Sequence, residues 1–222
     1  MLEWISLYGP TILDGFIITV AVGLFGIFAG LGLGLLLAIG DIYGSKAVSG
    51  VIRVYVELFR GSPLLVQLFI AEYALPALTN IPINPYVTAF GVFALNSAAY
   101  QKGYLKGAIE TVFQDQMDAG LSVGMSKAQI IIYIVLPQAL RIVIPAWSNE
   151  FCSLSKSTAA LSLVGIRDLT AAGTRIAGVT WIILPTWIII ALIYLAWITA
   201  FTKLADIIYE KKKIPGLEIP VQ

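Results

Sequence analysis

The sequence predicts an all-α membrane protein that crosses the bilayer five times. Apolar residues make up 59% of the 222 residues and charged residues 12%, whereas soluble proteins have about 45–50% and about 25%. The mean hydropathy is +0.89. Three uncharged stretches are each long enough to cross the hydrocarbon core, which takes about 20 apolar residues. Together these features exclude a soluble globular domain, a collagen and a disulfide scaffold.

The five spans follow from the distribution of apolar and charged residues. The first, third and fifth are built on stretches without charge. The apolar part of the second span contains Glu72, and the fourth contains Glu150 and Lys156. The predicted bounds are about 12–40, 51–78, 85–107, 140–166 and 177–208.

Basic residues predict the orientation of these spans. Under the five-span count, 11 of the 14 Lys and Arg residues fall on one side, including those at 211–213. The opposite side holds Arg167 and Arg175. Because cytoplasmic loops carry the excess of Lys and Arg, we expect the N-terminus outside and the C-terminus in the cytoplasm.

Several functions are excluded by what the sequence lacks. There is no histidine, Cys152 is the single cysteine, and the net charge is only +1. These features leave no histidine chemistry, no internal disulfide and no field that would attract nucleic acid. No phosphate-binding Gly-x-x-x-x-Gly-Lys-Ser/Thr motif and no nucleophile–base set are present. We therefore expect no catalytic residue, no metal site and no cofactor in this chain, so that any ATP would be bound by a partner.

Small residues on the first span predict close helix packing. Gly26, Gly30 and Gly34 recur every four residues and share one helix face. Another backbone can approach such a face closely. Ordinary packing between helices is the main interpretation, and a specific dimer face is the alternative.

A charged helix end precedes the second apolar stretch. Arg53, Glu57 and Arg60 lie at positions i, i+4 and i+7 and can pair on one face. The following segment Gly61-Ser62-Pro63 predicts a kink or a restart of the helix. Two interpretations stay open, a solvated cytoplasmic helix end and a hinge or coupling element.

The segment 112–137 belongs to the one long connection between spans, on the predicted cytoplasmic side. Its pattern predicts a short amphipathic helix at 117–123, a sharp turn at Gly124 and a second helix at 127–135 capped by Ser126. A surface element held between two spans can dock into a groove on a cytoplasmic partner. An amphipathic loop lying on the membrane is the alternative.

The spacing within this segment is specific. Asp118-Ala119-Gly120 is followed after three residues by Gly124 and after nine more by Ile134-Val135-Leu136-Pro137. This resembles the EAA loop of ATP-binding-cassette (ABC) importer permeases, which reads Glu-Ala-Ala, three residues, Gly, nine residues, Ile-x-Leu-Pro. The departures are Asp for Glu and Gly for Ala, the second costing the helix up to about 1 kcal/mol. The resemblance implies that the ATPase-coupling residues are Asp118, Ala119, Gly120, Gly124, Ile134, Leu136 and Pro137.

Further motifs extend the resemblance over most of the chain. The segments 56–67, 136–141, 148–151 and 154–158 are similar to motifs of the polar amino acid branch of these permeases. The resemblance implies a type I importer fold with a five-span core and a cytoplasmic coupling helix in the cell membrane. It also implies three partners: a second permease subunit, identical or not; a dimer of ATPases that bind ATP and Mg; and an extracytoplasmic substrate-binding protein.

Polar residues inside the spans predict the substrate site. A charge within the membrane costs about 2.5–3.5 kcal/mol on insertion scales and therefore usually faces a cavity. Glu150 is such a charge, and Lys156 lies about 240° away around an ideal helix, so the two should not pair. The candidate substrate-binding residues are Glu150, Ser148, Asn149, Asn96 and Ser97. A structural carboxyl group that is protonated, or paired with another helix, is the alternative for Glu150.

The sequence thus predicts the permease subunit of an ATP-driven importer, without enzymatic activity of its own. Glu150 favours polar, cationic amino acids such as arginine, lysine and histidine as substrates. The same fold importing a neutral or acidic amino acid, such as glutamine, is one alternative. An autonomous channel or secondary carrier and a structural membrane subunit without a pathway are the others.

Overall fold

The computed structural model describes residues 2–214, with the side chains of 6–113 and 116–214. Within this range the regular structure is helical, and no strand occurs. The α-helices are α1 Leu2–Tyr43, α2 Lys46–Gly61, α3 Leu64–Phe69, α4 Leu75–Thr79, α5 Pro85–Ser122, α6 Lys127–Ile130, α7 Leu136–Ile142, α8 Ile144–Ser157, α9 Leu169–Thr180 and α10 Ile183–Lys212. Two π-helical turns, Ile70–Ala74 and Ile131–Val135, and one 3₁₀-helix, Thr158–Val164, join neighbouring helices. The all-α prediction is confirmed.

Helices α1 and α5 form the centre of the fold, because the glycines of α1 let α5 and α8 pack closely against it. A Cβ atom built on Gly26 would lie 2.9 Å from Leu154 Cδ2, and one built on Gly34 would lie 3.0 Å from Gln101 Cβ. Gly32, by contrast, has no atom within 4 Å. The glycine face is therefore used for packing inside the subunit.

Two apolar clusters fill the space around α1 and α5. One contains Phe93 of α5 and Phe151 of α8, whose ring stacks on Phe201 with 3.4 Å between centroids. The other joins Ile109 of α5 to Ile130 of α6. Burial of aromatic and branched side chains on α5 thus holds the helices that carry the predicted substrate and coupling residues.

The predicted break after α2 is confirmed. The segment 64–79 turns away from α2 by 105°. Pro63 has no backbone N–H to continue α2, and Ser62 adopts an extended conformation with ψ of 144°. A second bend, of 53°, separates Lys127–Ile142 from Ile144–Val164.

The bends affect the count of membrane spans. Among the residues described, Ser6–Tyr43 and Ile183–Lys212 are long and apolar enough to cross a membrane, and up to four spans result if each bent pair is one. Helix α5 contains the predicted third span, and its 38 residues extend about 57 Å. Its polar side chains Asn96, Ser97 and Gln101 are buried against other helices. The five-span count stays a prediction.

An ion-pair cluster joins the end of α1 to α5. Asp41 accepts from Lys102 Nζ at 2.7 Å and from Lys106 Nζ at 2.8 Å. The Asp41 and Lys102 side chains are only 12% and 13% exposed. One carboxylate therefore neutralises two ammonium groups that would otherwise repel each other on adjacent turns of α5.

The predicted separate helix at 117–123 is instead the C-terminal part of α5, which continues without interruption to Ser122. No proline interrupts this part of the chain, and Ala108, Val112 and Met117 of its apolar face are buried. The turn that follows was predicted correctly. Gly124 has φ of +82°, a conformation that glycine adopts without strain.

Candidate functional site

A polar cavity of about 520 Å³ lies between α2, α5 and α8. The end of α2 and the bend after it form one wall, three residues of α5 form a second, and α8 forms a third. The lining residues are Arg60, Gly61, Ser62, Pro63, Leu64, Asn96, Tyr100, Tyr104, Asn149, Glu150, Ser153, Leu154 and Ser157. The size and the mixture of aromatic, amide and charged groups suit a small polar solute.

Glu150 places a carboxyl group in the wall formed by α8. The residue is 5% exposed, and its Oε1 accepts a hydrogen bond from Ser97 Oγ at 3.2 Å. Within the described residues Glu150 makes no ion pair. As predicted, it does not pair with Lys156, whose side chain is exposed. One oxygen of the carboxyl group thus accepts a hydrogen bond from Ser97, and the group can still accept a hydrogen bond from a molecule in the cavity.

A chain of hydrogen bonds behind Glu150 orients the Ser97 hydroxyl group. Gln101 Nε2 donates to Ser97 Oγ at 2.9 Å and to the Ile27 carbonyl oxygen of α1 at 2.8 Å. Because the Ser97 oxygen accepts from Gln101, its own proton is left for Glu150. The absence of a side chain at Gly30 makes this arrangement possible, since a Cβ there would lie 2.8 Å from Gln101 Nε2.

Amide groups fasten the bent wall of the cavity to α5. Gln67 Nε2 donates to the Phe59 carbonyl oxygen at 2.8 Å and to the Ser62 carbonyl oxygen and Oγ, both at 3.0 Å. Asn96 Nδ2 donates to Gln67 Oε1 at 3.0 Å and to the Phe59 carbonyl oxygen at 3.3 Å. Carbonyl groups left unpaired by the end of α2 are satisfied in this way.

The structure brings the predicted substrate residues together only in part. Asn96, Asn149 and Glu150 line the cavity. Ser97 lies behind Glu150 and is fully buried. Ser148 is buried on α8, does not line the cavity, and its Oγ has no hydrogen-bond partner. Whether any of them binds a substrate stays a prediction.

Arg60 lines the cavity, although the sequence predicted it to belong to a charged helix end and not to the substrate site. The predicted pairing among Arg53, Glu57 and Arg60 does not occur within the described structure, which records no ion pair for them. The Arg60 guanidinium instead lies 5.2 Å from the centroid of the Tyr100 ring. The sequence feature that could have indicated its place in the cavity is the position of this cation directly before the predicted helix break.

Of the predicted coupling residues, Asp118, Ala119, Gly120 and Gly124 lie at the exposed turn between α5 and α6 or on the helix end before it. The other three lie beyond α6: Ile134 in the π-helical turn and Leu136 and Pro137 in α7. Met125 N and Gly124 N donate to the carbonyl oxygens of Gly120 and Leu121, both at 3.0 Å, which is the Schellman pattern of a helix end. Ser126 Oγ accepts from Gln129 N at 3.3 Å and caps α6 as predicted. The turn is therefore closed by backbone hydrogen bonds, and Gly124 within it is exposed.

Large apolar side chains are exposed at this turn and in the π-helical turn that follows α6. Asp118 and Ala119 are exposed on the last part of α5. Val123 is 77% exposed and Tyr133 is 71% exposed. Gly120 is buried, and a Cβ there would lie 2.6 Å from Ile130 Cγ1, so only glycine lets α6 pack this closely. Ile134 and Leu136 are partly buried, and Pro137 is exposed.

The part of the chain that the structure describes holds no cluster of three or more His, Cys, Asp or Glu side chains that could bind a metal ion. The cavity lining offers one carboxyl group, one guanidinium, two side-chain amides and several hydroxyl groups for hydrogen bonding and charge interactions.

Comparison with known proteins places the chain among membrane permeases. Residues 30–213 match the family described as the binding-protein-dependent transport system inner membrane component. The glutamine transport system permease protein of Escherichia coli is 30% identical over 87% of this chain and 90% of that protein. The arginine transport system permease protein of Bacillus subtilis is 29% identical over 92% of this chain and 93% of that protein.

A solved structure agrees in fold over nearly the whole length. The crystal structure of an amino acid ABC transporter with histidines superimposes with a TM-score of 0.86 at 30% identity, covering 95% of this chain and 98% of that one. The bent helix pairs are thus accommodated within a known permease architecture. The chain belongs to the family of inner membrane components of binding-protein-dependent transport systems.

Proposed function

We propose that the chain is the permease subunit of an ATP-driven importer that moves cationic amino acids into the cell by alternating access. The observation that carries the choice of substrate is Glu150, a buried carboxyl group that lines the polar cavity without an ion-pair partner in the described structure. The relatives' names support amino acids as the class, with glutamine, arginine and histidines among them.

The physical argument for a cationic substrate rests on desolvation. A buried carboxylate is costly unless it is paired and hydrogen-bonded, and Glu150 has only the Ser97 hydroxyl as a recorded donor. A guanidinium could supply two parallel hydrogen bonds, and an ammonium could supply a compact charge. A neutral side chain would leave the carboxylate unpaired and would be rejected.

The partners follow from what the chain lacks and from its exposed turn. With no phosphate-binding motif of its own, the permease needs an ATPase dimer that binds ATP and Mg. The turn at Gly124, with the exposed Val123 beside it and Asp118 on the preceding helix end, forms the docking surface on the cytoplasmic side. A second permease subunit and an extracytoplasmic binding protein complete the importer. In this arrangement the N-terminus lies outside and the C-terminus in the cytoplasm.

Coupling to ATP works through the difference between two docked states. Closure of the ATPase dimer moves the turn at Gly124, and this biases the permease from an inward-open to an outward-open form. Because α5 is continuous from Asn96 to the turn, movement of the turn is transmitted along one helix to a wall of the cavity.

The test is the substrate preference of Glu150→Gln. Binding of arginine, lysine and glutamine is measured on the purified permease–ATPase complex in lipid nanodiscs without the binding protein, and uptake is measured with it. We expect the variant to lose about 2–5 kcal/mol, or about 30-fold or more, in affinity for arginine and lysine. Affinity for glutamine should be unchanged or improved. Glu57→Gln, an exposed carboxylate on α2, is the matched control.

Two results contradict the cationic assignment. One is a Glu150→Gln complex that binds and transports arginine as well as the wild type does. The other is a wild type that prefers glutamine, which would support the importer of a neutral amino acid. Uptake by the chain without the ATPase would instead support an autonomous carrier.

A further inference from the structure

Arg60 lines the same cavity as Glu150 but belongs to a different wall. It lies one residue before the end of α2, whereas Glu150 belongs to α8. Among the lysines and arginines of the described structure, Arg60 is the one that lines this cavity. The cavity therefore has a cationic wall as well as an anionic one.

The guanidinium of Arg60 forms no ion pair with a carboxylate in the described part of the chain, although its charge acts on Glu150 in the same cavity. The recorded ion pairs there involve Asp41, Glu110 and Glu210 and leave Arg60 out. Its recorded contact is with the ring of Tyr100, at 5.2 Å from the centroid. A ring covers one face of the planar group, while the five N–H donors point outward in its plane. These donors suit a carboxylate, which can accept two of them in parallel.

We infer that Arg60 binds the α-carboxylate of the transported amino acid, while Glu150 binds the cationic group at its other end. The inference rests on the proposed transport of amino acids, but it does not depend on which side chain Glu150 selects. Every α-amino acid carries this carboxylate, so Arg60 recognises the class and Glu150 the member of the class.

The neighbouring Gly103 provides a way to block Arg60 from within the chain. A Cβ built on Gly103 would lie 3.7 Å from Arg60 Nη1. A carboxylate introduced there would pair with the guanidinium and compete with the substrate carboxylate. Gly107 lies one turn further along α5, is exposed, and has no atom within 4 Å of a built Cβ. Gly107→Glu is therefore a charge-matched control.

The experiment compares each amino acid with the amine that lacks its carboxylate. Binding of arginine and agmatine, and of glutamine and 4-aminobutanamide, is measured on the permease–ATPase complex in nanodiscs without the binding protein. We expect the wild type to bind its preferred amino acid about 30-fold or more tightly than the matching amine. Arg60→Gln and Gly103→Glu should abolish this preference by weakening the amino acid alone. Gly107→Glu should keep it.

The outcomes separate this inference from the proposed selection of cations. In Glu150→Gln the preference for arginine over agmatine should persist, even though both bind more weakly. If the wild type turns out to prefer glutamine, the comparison with 4-aminobutanamide still tests Arg60. The inference is overturned if the wild type binds the amine as tightly as the amino acid, if Arg60→Gln weakens both equally, or if Gly103→Glu behaves like Gly107→Glu.

Discussion

Replacing Gly30 by alanine tests whether close packing of α1 on α5 supports the cavity. A Cβ at this position would lie 2.8 Å from both Ser97 Cβ and Gln101 Nε2 and 2.9 Å from Ser97 Oγ. Ordinary contacts between such atoms are about 3.5–4.0 Å, so α1 and α5 must separate or the two polar side chains must turn. Overpacking of this kind costs about 1–3 kcal/mol.

Gly32→Ala is the control, because a Cβ on Gly32 meets no atom within 4 Å. Both variants gain about 1 kcal/mol of helix propensity, and this gain cancels when the two are compared. Gly30→Ala should therefore be less stable than Gly32→Ala by about 1–3 kcal/mol. For a chain of this size, each kcal/mol shifts Tm by about 2–4 °C.

The assay is thermal unfolding of the purified complex, followed by tryptophan fluorescence, together with arginine binding. Gly30→Ala should melt below Gly32→Ala and should bind arginine more weakly, since Ser97 would no longer donate to Glu150 from its present position. Equal melting temperatures, or unchanged arginine binding in a destabilised Gly30→Ala, would refute the reasoning.

Two further predictions concern the turn at Gly124 and the ion-pair cluster. Gly124→Val places a β-branched residue at φ of +82° and should uncouple the ATPase while the protein still inserts into the membrane. Gly107→Val is the control. Full substrate-stimulated ATP hydrolysis in Gly124→Val would contradict the docking assignment. Asp41→Asn removes the shared acceptor of two lysines and should lower the free energy of unfolding by about 1.5–3 kcal/mol. Glu110→Gln should have little effect, because the Glu110 side chain is 57% exposed. Equal free energies of unfolding for the two variants would refute this prediction.

Features set by local chemistry were predictable from the sequence. The break at Gly61-Ser62-Pro63 follows from a proline that cannot continue a helix. The turn at Gly124 and the cap at Ser126 follow from residue preferences at helix ends, and both occur in the structure. The burial of Glu150 against protein was also predictable, because a charge in an apolar segment is expensive to leave facing lipid.

Features set by contacts between distant segments could not be predicted. The chain Glu150–Ser97–Gln101 links α8 to α5, residues 53 positions apart in the first case. The helical spacing of Arg60 predicted an ion pair on the surface of α2. Arg60 lines the cavity instead, because the chain bends by 105° after α2. The continuation of α5 to Ser122 depends on burial of its apolar face.

The bend after α2 has a consequence for how the cavity opens. Three hydrogen bonds connect the end of α2 and the bend after it to α5, each worth about 1 kcal/mol. Asn96 Nδ2 donates to Gln67 Oε1 and to the Phe59 carbonyl oxygen, and the Tyr55 hydroxyl group donates to the Leu95 carbonyl oxygen. Breaking all of them costs about 3 kcal/mol, so these hydrogen bonds would all be broken in fewer than about one molecule in a hundred at any moment. The hydrogen bonds at the 105° bend after α2 therefore favour movement of α2 and α5 together. On the α8 side, the described hydrogen bonds between α5 and α8 amount to the Ser97–Glu150 contact. Separation of α8 from α5 would therefore break fewer hydrogen bonds than separation of α2 from α5, and it would open the cavity beside Glu150.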